Sequence, residues 1–165
     1  MKEGSGGSET KLLLGDRHLA IKSAIVGAGS LSFGPCTIQD ILLSNALCDA
    51  GVELVLMDTV AEHLPEREKV ARHVAEKLDR TASVSCTCDL DQALAGADYV
   101  VAAIEVNRWL YWSQDFHVPR QYGFMQIYGE NGGPGGLFHA LRNMGPMLRC
   151  TSPGRWRPCA PRPCC

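Results

Sequence analysis

Ile21-Lys22-Ser23-Ala24-Ile25-Val26-Gly27-Ala28-Gly29-Ser30-Leu31-Ser32-Phe33-Gly34-Pro35 is the stretch on which the reading of the fold turns. The short apolar run Ile21 to Val26 ends in a pair of glycines, and beyond Pro35 the apolar residues Ile38, Ile41 and Leu42 recur at helical spacing. Strand, glycine turn and helix in that order open a βαβ unit. A turn of this kind binds phosphate for a physical reason. One glycine makes the tight turn, a second lets backbone approach a pyrophosphate, and the helix N-terminus meets the negative charge. Gly27 and Gly29 take the first two places, and Ser30, Leu31 and Ser32 complete the candidate contacts. Ser32 stands where a third glycine is usual, so the short fingerprint is incomplete, and a glycine turn in a cofactor-free α/β domain is the alternative.

Working outward, Glu53 to Met57 reads as a second buried strand that stops at Asp58. Ala61 to Leu78 reads as an amphipathic helix, with Val70, Val74 and Leu78 inward and Glu62, Glu66, Arg67 and Lys69 on the solvated side. Ser83 to Thr87 is a third strand, Asp89 caps a helix that begins at Leu90, and Tyr99 to Glu105 is a fourth strand. Strands alternating with helices at this spacing predict a Rossmann-like, doubly wound parallel sheet with helices on both faces. Asp58 ends the second strand, where an acid accepts the ribose hydroxyls and favours NAD over NADP. It lies 29 residues after Gly29, a longer interval than the usual one of about 20. Glu105 and Asn107 follow the fourth strand, on the carboxyl edge where ligands of such sheets lie.

A second glycine segment, Gly129-Glu130-Asn131-Gly132-Gly133-Pro134-Gly135-Gly136, precedes the helical run Leu137 to Leu148. It reads either as a binding loop offering Glu130 and Asn131 to a polar ligand or as a tight surface turn. Between the two glycine segments, Trp109, Tyr111 and Trp112 crowd a stretch that reads equally as a capping helix packed on the core and as a sugar-stacking surface. Asp115, His117 and Arg120 read as helix-surface residues.

Composition sets the outer limits. With 165 residues, 45% of them hydrophobic, the chain has material for one globular domain. Its 16 basic and 18 acidic residues are nearly balanced, which argues against nucleic acid or an anionic membrane as partner, and no apolar run approaches the roughly 20 residues of a membrane span. Residues 1 to 18 read as a flexible leader with no apolar signal region, so a cytoplasmic protein is expected. From Cys150 the composition changes: four cysteines, four prolines and three arginines make eleven of sixteen residues, with no leucine, isoleucine or valine. Residues 150 to 165 are therefore expected neither to form helix nor to pack a core, and a shifted reading frame or a truncated gene accounts for them. Adjacent Cys164 and Cys165 lack the spacing with which paired thiolates share a zinc ion.

With these pieces in order, the chain resembles the N-terminal part of glycoside hydrolase family 4. The residues that carry the resemblance are Ile25 to Ser30 with Phe33 and Pro35, Leu56-Met57-Asp58, Gly96 to Val100, Ala103 to Val106, Tyr122-Gly123, Gly133 to Gly136 and Ala140-Leu141-Arg142. It covers about residues 20 to 149 and implies an NAD-binding domain, 19 to 149, with the start of a substrate region.

The resemblance implies hydrolysis of O-glycosyl bonds by oxidation, elimination, addition and reduction, an exception to the two-carboxylate scheme. NAD oxidises the sugar 3-hydroxyl, a tyrosine base takes the acidified proton on carbon 2, and a divalent ion, manganese, acts as Lewis acid. Carried over by position, Gly27, Gly29, Ser30 and Asp58 are cofactor contacts, Glu130 supports the tyrosine base, and Asn131 lies close to the sugar. Trp112 stands where members that take phospho-sugars have an arginine, which implies an unphosphorylated glycoside as substrate. The family's metal-ligating cysteine and histidine and its tyrosine base have no counterpart in these residues, so the polypeptide is expected to be inactive alone and to hold no metal. The complete protein is expected to be a homo-oligomer. Two alternatives stand beside this reading: a lactate- or malate-type dehydrogenase, and a truncated NAD-binding module without catalysis.

Overall fold

Four short strands, each apolar toward at least one face, pair in parallel. β1 (Ile21–Val26), β2 (Val52–Met57), β3 (Ala82–Thr87) and β4 (Tyr99–Ala102) form one sheet in the order β3-β2-β1-β4, seen in a computed structural model that describes residues 20–151. The leader and the tail beyond Thr151, with Cys159, Cys164 and Cys165, lie outside the described residues. The chain winds from β1 outward to β3 and then crosses back to place β4 on the other side of β1. That reversal is the switch point at which open parallel sheets bind ligands. In register, Val26 lies opposite both Met57 and Ala102, so the loops leaving β1, β2 and β4 emerge together at one edge.

Period-two alternation divides the core. Ile25, Leu54, Leu56 and Val84 face α1 (Phe33–Leu43) and α3 (Leu64–Lys77), where they meet Ile38, Leu42, Leu64 and Ala71. Val26, Val55 and Met57 face the other way, against Ala93 and Leu94 of α4 (Leu90–Leu94) and Cys150 of α6 (Gly133–Thr151). A short helix, α2 (Asn45–Ala50), capped by the Ser44 hydroxyl, follows α1 and accounts for the long interval between Gly29 and Asp58. α5 (Arg108–Gln121) packs on α6. Among the described residues no helix is long and apolar enough to cross a membrane.

Several expectations change. β4 stops at Ala102 instead of Glu105, because its partner β1 ends at Val26 and Ala103 makes the last backbone bond, its N–H donating to Val26 O at 2.8 Å. Arg67 is not on the solvated side of α3. It is buried together with Leu64, Ala71 and Ala75, because that face of the helix runs beneath the first glycine turn. The composition of the tail does not stop α6 at Leu148: the helix runs on through Thr151, and Cys150, 8% exposed, belongs to the second core cluster. The helix also begins at Gly133, so half of the second glycine segment is its first turn.

Candidate functional site

The first glycine turn is built by steric exclusion. Gly27 has φ of +87°, and a Cβ there would lie 2.2 Å from the carbonyl oxygen of Ala103. The N–H groups of Gly27 and Ala28 both donate to Met57 O, at 2.8 and 3.0 Å, which ties the turn to the end of β2. Gly29 is pressed against Asp58: its N–H donates to Asp58 Oδ2 at 2.8 Å, and a Cβ would stand 2.6 Å from that oxygen. The other carboxylate oxygen of Asp58 accepts from Val60 N–H at 2.9 Å. Asp58 is therefore fixed, with lone pairs still available on both oxygens.

The third glycine of the fingerprint is present but displaced. Gly34 has room for no side chain, since a Cβ would come 2.3 Å from Ala28 O, and it therefore serves the close helix-to-strand approach. Ser32 is exposed and makes no cap with its side chain; the Ser30 hydroxyl accepts from Phe33 N–H instead, at 3.2 Å. Leu31 is exposed.

A cleft of about 630 Å³ opens at the carboxyl edge, and Gly27, Ser30, Asp58, Glu105 and Asn107 line it. Five residues singled out in the sequence are thus brought together. Gly29 lies buried behind Asp58, and Leu31, Ser32, Trp112, Glu130 and Asn131 are not part of this lining. Asn107 adopts a left-handed conformation, φ of +48°, at the entry to α5.

The floor between β4 and the two long helices is a polar network. Asp115, expected on the surface, is buried and paired in a fork with Arg142 of α6, Nη1 donating at 3.0 Å to Oδ1 and Nη2 to Oδ2. That hydrogen bonding raises Arg142 above its ordinary pKa. Asn143, also buried, accepts the Val106 N–H at 2.9 Å and donates to His139 O at 3.0 Å, binding α6 to the path that leaves β4. His139 Nδ1 stands 3.8 Å from Glu105 and 3.9 Å from Asp115. None of Gly34, Arg67, His139 or Asn143 was identified from the sequence. A signal existed for two of them: His139, Arg142 and Asn143 form a polar stripe at spacings of three and four in an otherwise apolar helix.

In the second glycine segment most glycines answer to packing. A Cβ at Gly129 would meet Trp112 O at 2.9 Å, and one at Gly135 would meet Asp115 O at 2.0 Å, so α5 lies directly on both. Gly132 and Gly133 have φ of +76° and +61°. Glu130 accepts a hydrogen bond from the indole N–H of Trp112, whereas Asn131 is exposed. Of the aromatic stretch, Trp109 is 95% exposed and Trp112 half-buried, stacked at 6.5 Å on Phe116. Among the described residues no group of three His, Cys, Asp or Glu side chains is placed to hold a metal ion.

Residues 22–151 match the family 4 glycosyl hydrolases. The chain is 47% identical to an α-glucosidase of Erwinia rhapontici over 131 residues, 79% of this chain and 28% of that one. It is 31% identical to an α-galactosidase of Bacillus subtilis, over 77% of this chain and 29% of that one. Among solved structures it superposes on a 6-phospho-α-glucosidase from gut microorganisms in complex with NAD and glucose-6-phosphate (TM-score 0.66, 23% identity, 80% and 30% of the two chains). A 6-phospho-β-glucosidase from Thermotoga maritima, with NAD and glucose-6-phosphate, gives a TM-score of 0.66 at 20% identity, over 81% and 30%. The chain thus spans less than a third of the length of these relatives. The match sets aside the dehydrogenase alternative.

Proposed function

The chain belongs to glycosyl hydrolase family 4, and from that premise we propose that it carries the NAD-binding part and the beginning of the sugar site of a glycosidase acting on unphosphorylated sugars. The observation that carries the reading is the cleft at the switch point, with Gly27 held at φ of +87° against Ala103 and with Ser30, Asp58 and Glu105 around one opening. The turn fits a dinucleotide, because Gly27, at φ of +87° and closed against Ala103, makes the tight turn that brings backbone to the edge of the cleft. The N–H groups of Gly27, Ala28 and Gly29 are engaged within the protein, so it is the N-terminus of α1 that meets the phosphates. Asp58, immobilised by Gly29 and Val60, accepts the ribose hydroxyls and repels a 2′-phosphate. NAD, when bound, supplies hydride acceptance from carbon 3 of the sugar. Glu130, its carboxylate held by the Trp112 indole N–H, takes on this reading the role of supporting a tyrosine base.

The absence of phosphate from the substrate is supported by charge. Trp112 is neutral, and the guanidinium groups of Arg108 and Arg142 are each paired with a carboxylate, Glu105 and Asp115. The described residues do not fit a manganese site, since no three of their His, Cys, Asp or Glu side chains converge. The complete protein is a homo-oligomer on this reading.

The test is a calorimetric titration of the 165-residue chain with NAD and NADP, followed by incubation with a nitrophenyl α-glucoside and manganese. NAD binds and raises the melting temperature, NADP binds at least about tenfold more weakly, and no nitrophenol is released. Failure to bind NAD overturns the cofactor reading, and release of nitrophenol overturns the assignment of the missing base and ligands.

A further inference from the structure

We propose that Trp112 is a positioning residue that couples the cofactor cleft to Glu130, an inference that rests on the cofactor reading above. Three contacts run in series. Glu105, on the wall of the cleft, pairs with Arg108. The Arg108 guanidinium lies over the Trp112 ring, 5.3 Å from its centre. On the far edge of the same ring, the indole N–H donates to the Glu130 carboxylate. Glu130 is 18 residues from Trp112, so this bond joins the first turns of α5 to the loop that precedes α6.

The chemistry of the series is directional. A cation over an indole face is attracted by the ring quadrupole and draws electron density from the ring, which makes the N–H a stronger donor. The acceptor is a carboxylate, so the bond is charge-assisted and fixes one rotamer of Glu130. Packing holds the ring from behind: Phe116 stacks on it with planes 12° apart, and Gly129, next to Glu130, is closed against Trp112 O. Glu105 is the one member that also faces the cleft, and its carboxylate has a limited number of lone pairs to share. A nucleotide group that takes hydrogen bonds from Glu105 loosens its hold on Arg108, shifts the guanidinium over the ring and so changes the donor that holds Glu130. Occupancy of the cofactor cleft thereby reaches the sugar side of the site without any backbone movement.

The experiment reads the indole N–H signals of the three tryptophans by proton–nitrogen correlation NMR, the Trp112 signal being the one lost in Trp112→Phe. Glu130→Gln moves that signal and speeds its exchange with solvent about tenfold, since the charged acceptor is gone. Saturating NAD moves it as well. In Arg108→Met the NAD response of Trp112 disappears although the Gly27 and Gly29 amides still shift, and Arg108→Lys, which keeps a cation over the ring, restores it. An indole signal indifferent to Glu130→Gln overturns the positioning of Glu130, and an NAD response that survives in Arg108→Met overturns the coupling. Should NAD move neither glycine amide, the cofactor reading fails and the coupling with it, while the Glu130→Gln comparison still decides between a held and a free carboxylate.

Discussion

Replacing Gly27 by alanine combines two penalties that other glycines of this chain carry one at a time. At Gly96 φ is +69° with nothing within 4 Å of the added methyl, so Gly96→Ala measures left-handed backbone alone, about 1–2 kcal/mol. At Gly34 the methyl would stand 2.3 Å from Ala28 O, a backbone atom that moves only if strand and helix separate. The overpacking there is toward the upper end of the usual range, about 3 kcal/mol, offset by about 1 kcal/mol of helix propensity gained within α1. Gly27→Ala meets Ala103 O at 2.2 Å with φ of +87°, so about 4–5 kcal/mol is expected. Domains of this kind have about 5–15 kcal/mol in all, so the variant is left close to unfolding. Urea titration of the three variants with a common slope gives the three values directly. A Gly27→Ala protein no less stable than Gly96→Ala would refute the closure of the turn against the end of β4, and with it the shape assigned to the cleft.

Asp115→Asn leaves Arg142 without its charged partner and is expected to cost about 3–5 kcal/mol in urea unfolding, whereas Asp115→Leu with Arg142→Met recovers most of it. Burial, reinforced by Glu68, pushes the Cys86 thiol up to about 11 from an ordinary 9.0. At pH 8 its alkylation by iodoacetamide should therefore be about a hundredfold slower than in the urea-unfolded chain. Because the folded value is the raised one, the stability contributed by Cys86 is complete below pH 9 and lost as pH rises through about 11, a loss that Cys86→Ala should remove from melts taken across that interval. Asp58→Asn removes the charge that repels a 2′-phosphate and is expected to narrow the preference for NAD over NADP at least about tenfold in calorimetry. Asn143→Ala strands the Val106 N–H and is expected to cost about 1–3 kcal/mol, visible as faster amide exchange at Val106.

What the sequence disclosed follows from what is local. β1 and β2 were legible because an apolar run bounded by glycine or an acid has few other uses in a short chain, and the parallel order followed from the helices between them. Asp58 was legible because the end of β2 and the first glycine turn meet at the same edge in any such sheet. The end of β4 was not, since the length of a strand is set by its partner, and β1 turns away at Gly27. Arg67 and Asp115 were misread for a related reason. A charged residue on a helix is ordinarily solvated, and what buries these two is a carbonyl 38 residues away in one case and a guanidinium 27 residues away in the other.

The second glycine segment shows how much of a glycine-rich composition can answer to helix packing. Five glycines in eight residues suggested backbone held close to a ligand, yet what Gly129 and Gly135 approach is α5. The glycines serve to bring α5 and α6 together, and the functional consequence is indirect. Only with that approach closed can Trp112 reach Glu130 and Asp115 reach Arg142. A residue larger than glycine at 135 would have to move Asp115 O, 2.0 Å from the added atom, and so would disturb the Arg142 pair on the same residue before touching any ligand. The charge pattern of the site is therefore a product of helix packing. A search of the sequence for polar residues alone finds Glu130 but not the glycines that fix what Glu130 can do.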